Sequence, residues 1–230
     1  MIQLVHLPRR RGNVPLRIAR GHFATNHSHI NYYIDITYNK TRVSEAKASA
    51  QELVDYCKSR NLPLVAATTG YTPEEFAILE EGAKTVPVFQ SYNMSVGVAL
   101  LARLVKQAAA IFGGCDVEII EAHHNRKADA PSGTALLLAD AVKEKRPDAE
   151  YVFGRSGQHK RQPNEIGIHA LRMGNVVGEH EVIFATDNQT ISLKHQAHDR
   201  ALFADGAIAA ARFIVTQAPG FYHMDDLLGP

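Results

Sequence analysis

Between Cys115 and Leu138 the chain reads CDVEIIEAHHNRKADAPSGTALLL, a short run crowded with titratable side chains. Val117, Ile119 and Ile120 form an apolar run that reads as a buried strand. His123, His124, Arg126 and Lys127 follow at its C-terminal end as a dense basic cluster. Asp129-Ala130-Pro131 then turns the chain, and Ser132-Gly133-Thr134 opens a helix whose first N–H groups have no partner inside it. A helix N-terminus beside titratable cations is a pocket for a small carboxylate. Taken singly, paired histidines are often only surface residues, and Ser-Gly-Thr is often only an N-cap. Strand, cations and helix start, in that order and so close together, point to a site. Metal binding is the weaker reading. Adjacent residues in extended chain point to opposite faces, so His123 and His124 share an ion only across a sharp bend. Cys57 and Cys115 are far apart and add no ligand spacing, so no metal is expected.

The elements around this stretch are legible from Ser44 onward. Ala46, Ala50, Leu53, Val54 and Cys57 make a helical stripe that Asn61 and Pro63 end. LVAAT from Leu64 is a short buried strand. Thr72-Pro73-Glu74-Glu75 is a capping box with proline at the first helical position. VPVFQS is the next strand, and SVGVALLARLVKQAAAIF is a long apolar helix closed by Gly113-Gly114. Alternating helices and strands predict an α/β fold, a parallel sheet with helices on both faces. Two loops follow strands in this part, where open α/β sheets bind ligands: Ala67-Thr68-Thr69-Gly70 and Ser91-Tyr92-Asn93-Met94.

Beyond a helix over 134–145, residues 154–165 form a polar, basic loop that either covers a site or is a solvated connection. GIHALRM, VVGEHEVIFA and TISLKHQA are separated by short turns and predict an antiparallel meander in a mixed sheet. A helix over ALFADGAIAAARFIVTQA closes the chain. His169, His180, His195 and His198 read as structural or solvent-facing.

Composition narrows the function classes. The chain has 25 Lys and Arg against 24 Asp and Glu, a net charge of +1, which gives no bulk attraction to nucleic acid or membrane. No apolar run approaches ~20 residues, as a spanning helix needs. Two cysteines do not make a secreted disulfide framework. Arg9, Arg10 and Arg11 precede no apolar h-region, so they are no secretory signal. Residues 1–33 carry five Arg and no acid, a bias shared with organellar transit peptides. A cytoplasmic location is expected.

EAHHNRKADAPSGTA at 121–135 resembles the substrate-binding motif of the 4-hydroxy-tetrahydrodipicolinate reductase (dihydrodipicolinate reductase) family. LVAATTGY at 64–71, YNMSVGV at 92–98, RQPNEIGIHALRMGNVVGEHEVIFA at 161–185 and FADGAIAAARFIV at 203–215 resemble it in the same order, so the likeness spans roughly 53–228. The resemblance implies an NADPH- or NADH-dependent reductase of a cyclic imine dicarboxylate in lysine and diaminopimelate synthesis, assembled as a homotetramer. It implies that His123 is the proton donor and Lys127 a second acid, and that His124, Ser132, Gly133 and Thr134 bind substrate. Ala67, Thr68, Thr69, Ser91, Tyr92, Asn93 and Met94 would contact the nicotinamide half of the cofactor. The implied architecture is a partial Rossmann-like domain at 1–94 with 201–230, and an α+β substrate and oligomerisation domain at 95–200.

The first thirty-odd residues do not share the likeness, which reaches back to Ile34 at the earliest. A cofactor domain should open with strand, Gly-x-Gly-x-x-Gly turn and helix, yet Gly12 and Gly21 stand alone. MIQLV reads as a strand and Tyr33–Ile36 as another, but LPRRRGNVP and GHFATNHSHINYY show no sustained period. The first β-α-β unit is expected to be missing, replaced or read in another frame. Two alternatives follow: a relic that binds the dicarboxylate and oligomerises without efficient hydride transfer, and, ranked last, a metal-dependent hydrolase using His123 and His124.

Overall fold

The computed structural model describes the backbone of residues 2–9, 12–25, 28–35 and 43–229, and side chains from residue 50 onward. Ile36 therefore lies outside the described residues. The chain divides into two compact units: residues 1–64, 68–88 and 218–221, and residues 65–67, 89–217 and 222–230.

In the first unit, β1 (Ile2–Arg9), β2 (Gly12–Thr25) and β3 (Ser28–Asp35) form an antiparallel sheet in that order, with a register shift between Arg20 and Phe23. The MIQLV strand is present from Ile2. The described residues of the segments without an evident period also lie in strands, and Tyr33–Asp35 lies within β3. They carry Val14, Ile18, Phe23, Ile30, Tyr32 and Tyr33, residue types that suit extended chain even where alternation fails. Helix α1 (Val43–Arg60) buries Ala50, Val54 and Cys57, three positions of the expected stripe. Helix α2 (Pro73–Ala83) starts on the expected box, with Glu75 N–H donating to Thr72 Oγ1 (3.3 Å) and Thr72 N–H to Glu75 Oε2 (2.8 Å). A small sheet has the order β11 (Gly220–Tyr222), β5 (Pro87–Gln90), β4 (Leu64–Ala66).

The second unit is built on a five-stranded mixed sheet. Its members are β6 (Asp116–His123), β7 (Glu150–Phe153), β8 (Glu165–Arg172), β9 (Gly178–Thr186) and β10 (Gln189–Ala197), ordered β10-β9-β6-β8-β7. Helices α3 (Val96–Ile111) and α4 (Gly133–Lys143) cover one face, packing Val105, Ala109, Leu138 and Val142 on Val117, Ile119, Ile166, Val182 and Phe184. Burying these side chains removes most of the apolar surface of both layers from water, at roughly 25 cal/mol per Å². Helix α5 (Ala201–Ile214) and the short α6 (Met224–Leu227) close a second cluster on Phe89 and Met94. A Cβ at Gly206 would lie 1.6 Å from the Met94 carbonyl oxygen, so glycine is required for α5 to approach that loop.

The expected meander over 166–197 is corrected by this sheet order. β9 and β10 do form a hairpin, Thr186 opposite Gln189. β8 and β9 do not pair, because β6 runs between them, parallel to β8 and antiparallel to β9. Fully buried Val117 and Ile119 suit a strand with a partner on each side. A five-residue link is short enough for a hairpin turn and long enough to step over one strand, so its length did not distinguish the two. The link is fastened to the strand it crosses: Met173 N–H donates to the His123 carbonyl (2.9 Å) and Asn125 N–H to that of Gly174 (3.2 Å). β7 was not anticipated, being a four-residue edge strand with little burial.

Candidate active site

β6 ends where the sequence delivers its basic cluster, and the 173–177 link arches over that end. Along β6, Val117, Ile119, Glu121 and His123 share the helix-covered face by strand alternation. Glu121 is completely buried. Its Oε1 accepts from Ser132 N–H (2.9 Å) and Arg172 Nη2 (2.8 Å), and its Oε2 from Arg172 Nη1 (2.8 Å) and His123 Nδ1 (2.7 Å). A carboxylate has about four acceptor positions, and each is filled. Burial pushes the Glu121 carboxyl up, but the forked Arg172, His123 and the Ser132 amide outweigh it and hold the group below the usual range.

Ser132 caps α4. Its Oγ accepts from Ala135 N–H (3.2 Å) and lies 3.0 Å from His180 Nε2. The N–H groups of Gly133 and Thr134 precede the first intrahelical donors, and a Cβ at Gly133 would meet no atom within 4 Å. The helix start is therefore open on the side where an anion would approach. His180 on β9 is buried, its ring 5.1 Å from that of His123 and edge-on to it. Burial, then the neighbouring His123, lowers its pKa to about 4, so it is neutral near pH 7.

The remaining candidates sit around this centre. Lys127 is largely buried and pairs with Asp129 (2.8 Å), whose carboxyl is lowered first by that bond. The Asp129 carbonyl accepts from Arg172 Nη2 (2.6 Å), joining the 125–131 turn to the Glu121 centre. His124 Nδ1 is buried without a partner among the described residues. Arg126 points outward to Asn175 (2.9 Å). Thr134 Oγ1 accepts from Asn93 Nδ2 (3.0 Å), so a residue of the 91–94 loop is bonded directly to the start of α4.

That loop is tightly wound. Ser91 Oγ donates to the Asn93 carbonyl (2.8 Å), and Ser95 N–H donates to Asn93 Oδ1 (2.8 Å). Met94 is buried in the α5 cluster, whereas the Tyr92 ring is exposed. Gln90, just before it, is buried with Nε2 unpartnered among the described residues. An amide donor, an exposed ring and main chain in a fixed turn suit a carboxamide and ribose. Ala67 and Thr69 are exposed, and Thr68 bonds the half-buried Tyr71. No Gly-x-Gly-x-x-Gly turn occurs in the sequence, so the fit to a dinucleotide covers the nicotinamide end and not the pyrophosphate.

The sequence reading brought out His123, His124, Lys127 and the Ser132–Thr134 cradle but not the groups that join them. Glu121 passed as one acid of an apolar strand, although its i, i+2 spacing to His123 on one strand face was available as a signal. Arg172, Gly178 and His180 come from later strands. His180, read from the sequence as structural or solvent-facing, is buried in this centre beside His123 and Ser132. No helix among the described residues is long and apolar enough to cross a membrane. Among the same residues, no group of three or more His, Cys, Asp or Glu is placed to hold a metal. Both cysteines are free and buried.

Comparison with known proteins follows the same lines. A family profile described as "Dihydrodipicolinate reductase, C-terminus" matches residues 97–228, and one described as "Dihydrodipicolinate reductase, N-terminus" matches 43–94. The chain is 47% identical over 197 residues to a protein named 4-hydroxy-tetrahydrodipicolinate reductase from Caldanaerobacter subterraneus subsp. tengcongensis, covering 85% of this chain and 75% of that one. A protein of the same name from Clostridium tetani is 48% identical over 183 residues, 79% of this chain and 72% of the other. The solved structure of a dipicolinate-bound dihydrodipicolinate reductase from Paenisporosarcina sp. TG-14 superposes with a TM-score of 0.63 at 26% identity, covering 77% of this chain and 68% of that one.

Proposed function

The chain belongs to the dihydrodipicolinate reductase family, and from that premise we propose that it reduces 4-hydroxy-tetrahydrodipicolinate to tetrahydrodipicolinate with NADPH or NADH. The observation that carries the reading is the shared anchor: the His123 ring and the first amide of the α4 cradle bond to one buried carboxylate. A ring dicarboxylate would place one carboxylate on the Gly133 and Thr134 amides beside Ser132, with His124 as a further donor. A bound nicotinamide supplies the hydride. His123 delivers the proton from Nε2 to the carbon that gains electron density, since Nδ1 is engaged by Glu121. Lys127 is the second acid, and its charge stabilises negative charge as it develops. The 67–69 and 91–94 loops would hold the nicotinamide end. Residues 1–94 with 201–230 form the cofactor domain in this reading, and 95–200 the substrate domain, assembled as a cytoplasmic homotetramer.

Oxidation of NADPH or NADH, followed by absorbance with freshly made substrate, tests the activity. A steady decrease dependent on substrate is expected. Binding of pyridine-2,6-dicarboxylate without any such decrease would show a chain that keeps the cradle and has lost hydride transfer.

A further inference from the structure

We propose that Glu121 is the positioning residue that decides which nitrogen of His123 faces the substrate, and that Arg172 and the Ser132 amide hold it for that task. The proposal deepens the reading above and rests on His123 as its proton donor.

The argument starts from acceptor count. An ionised carboxylate accepts and cannot donate, so the 2.7 Å contact between Glu121 Oε2 and His123 Nδ1 requires a proton on Nδ1. When His123 is neutral, that fixes the tautomer and leaves Nε2 as the bare nitrogen. When it is protonated, Nε2–H is the proton available for transfer, and the departing proton leaves behind a state already matched to its partner. The carboxylate must be ionised and immobile for this to work. The Arg172 fork and the Ser132 amide meet both needs, occupying the acceptor positions that His123 does not.

Access to Nε2 has its own device. A Cβ at Gly178 would lie 3.1 Å from Nε2, tight enough to crowd the atom that must meet substrate. Gly178 opens β9 directly after the link that crosses the strand end. The charged and titratable groups around the imidazole are Glu121 on its own strand, Arg172 on β8, His180 on β9, and His124, Lys127 and Asp129 in the following turn. Of these, Glu121 is the one bonded to the ring. The same carboxylate fixes the first turn of α4 through Ser132, so proton donor and cradle keep a constant spacing.

Histidine labelled with 15N in the wild-type chain reads the tautomer directly, the His123 signals being assigned among the 12 histidines by their loss in His123→Asn. Neutral His123 is expected to be protonated at Nδ1 and bare at Nε2; an Nε2–H tautomer overturns the proposal, whether or not the chain turns over. In kinetics, Glu121→Gln keeps an oxygen for Ser132 N–H and loses the charge. Its kcat is expected to fall on the order of 10- to 100-fold. Affinity for pyridine-2,6-dicarboxylate should stay within about threefold, because the loss lies in the proton step. A variant whose kcat and affinity fall together would make Glu121 merely structural and overturn the proposal. A wild-type chain that never oxidises NADPH would count against the functional reading alone, and the tautomer would still decide this one.

Discussion

Two histidine–glutamate pairs occupy opposite faces of the same sheet, both with N···O distances of 2.7 Å. His123 and Glu121 lie under the helices, with side chains 12% and 0% exposed; His169 and Glu118 lie on the other face, at 33% and 29%. The inner carboxylate has one guanidinium and otherwise meets an amide and the imidazole. The outer one meets Arg161 and, at 3.8 Å, Arg155, and these arginines also reach Asp116 and Glu165. The outer cluster ties the 154–164 segment to the start of β6, at the opposite end from His123. That favours the solvated-connection reading of this loop over one lining the site of its own chain. One bond length thus serves two purposes. Beside the α4 N-terminus it fixes the His123 ring, and in a screened network it fastens a loop.

The largest contrast expected is in stability. Arg172→Gln strands a buried carboxylate without its guanidinium and should cost about 3–5 kcal/mol. Arg161→Gln removes one of two arginines from a part-exposed network, and solvent screening should limit its cost to below about 1 kcal/mol. Urea unfolding of both variants checks this, and equal losses would break the comparison. Turnover should separate the faces nearly as far. His123→Asn is expected to lower kcat by at least about 100-fold, while His169→Asn stays within about twofold of wild type, as a residue outside the proton step should.

Acid stability gives a smaller effect with a definite sign. Folded His180 is held to about 4 against an ordinary 6.5, so between these values the unfolded chain binds a proton that the folded chain does not. Stability from this group is therefore complete above about pH 6.5 and falls toward pH 4, by roughly 3 kcal/mol in total. Glu121, whose carboxyl is lowered, adds a further loss as pH falls below the ordinary carboxylate range. His180→Gln should flatten the slope between about pH 6.5 and 4.5 in urea unfolding.

Legibility in the sequence followed locality. The Thr72 box, the Ser132 cap and the α1 stripe at Ala50, Val54 and Cys57 are set by residues within about a turn of each other, and they stand where the pattern put them. The sheet order was not legible, because a five-residue link does not reveal that β6 lies between β8 and β9. Before residue 36, MIQLV and the stretch from Tyr33 were legible as strands, whereas β2 and the start of β3 were not, because suitable residue types are present there without a sustained alternation.

By itself, the sequence determined the family and the strand–cation–helix order of residues 117–134, and it singled out His123, His124, Lys127 and Ser132–Thr134 as candidates. Those are matters of adjacent residues, and adjacency is written in the chain. Only the tertiary structure decided that Glu121 joins donor to cradle, that Arg172 and His180 belong to the same centre, and that Gly178 leaves Nε2 accessible. The hydrogen bonds between Glu121 and Ser132, Glu121 and Arg172, and Ser132 and His180 join residues 11 to 51 positions apart, and they exist because buried polar groups must find partners wherever the packed sheet brings them.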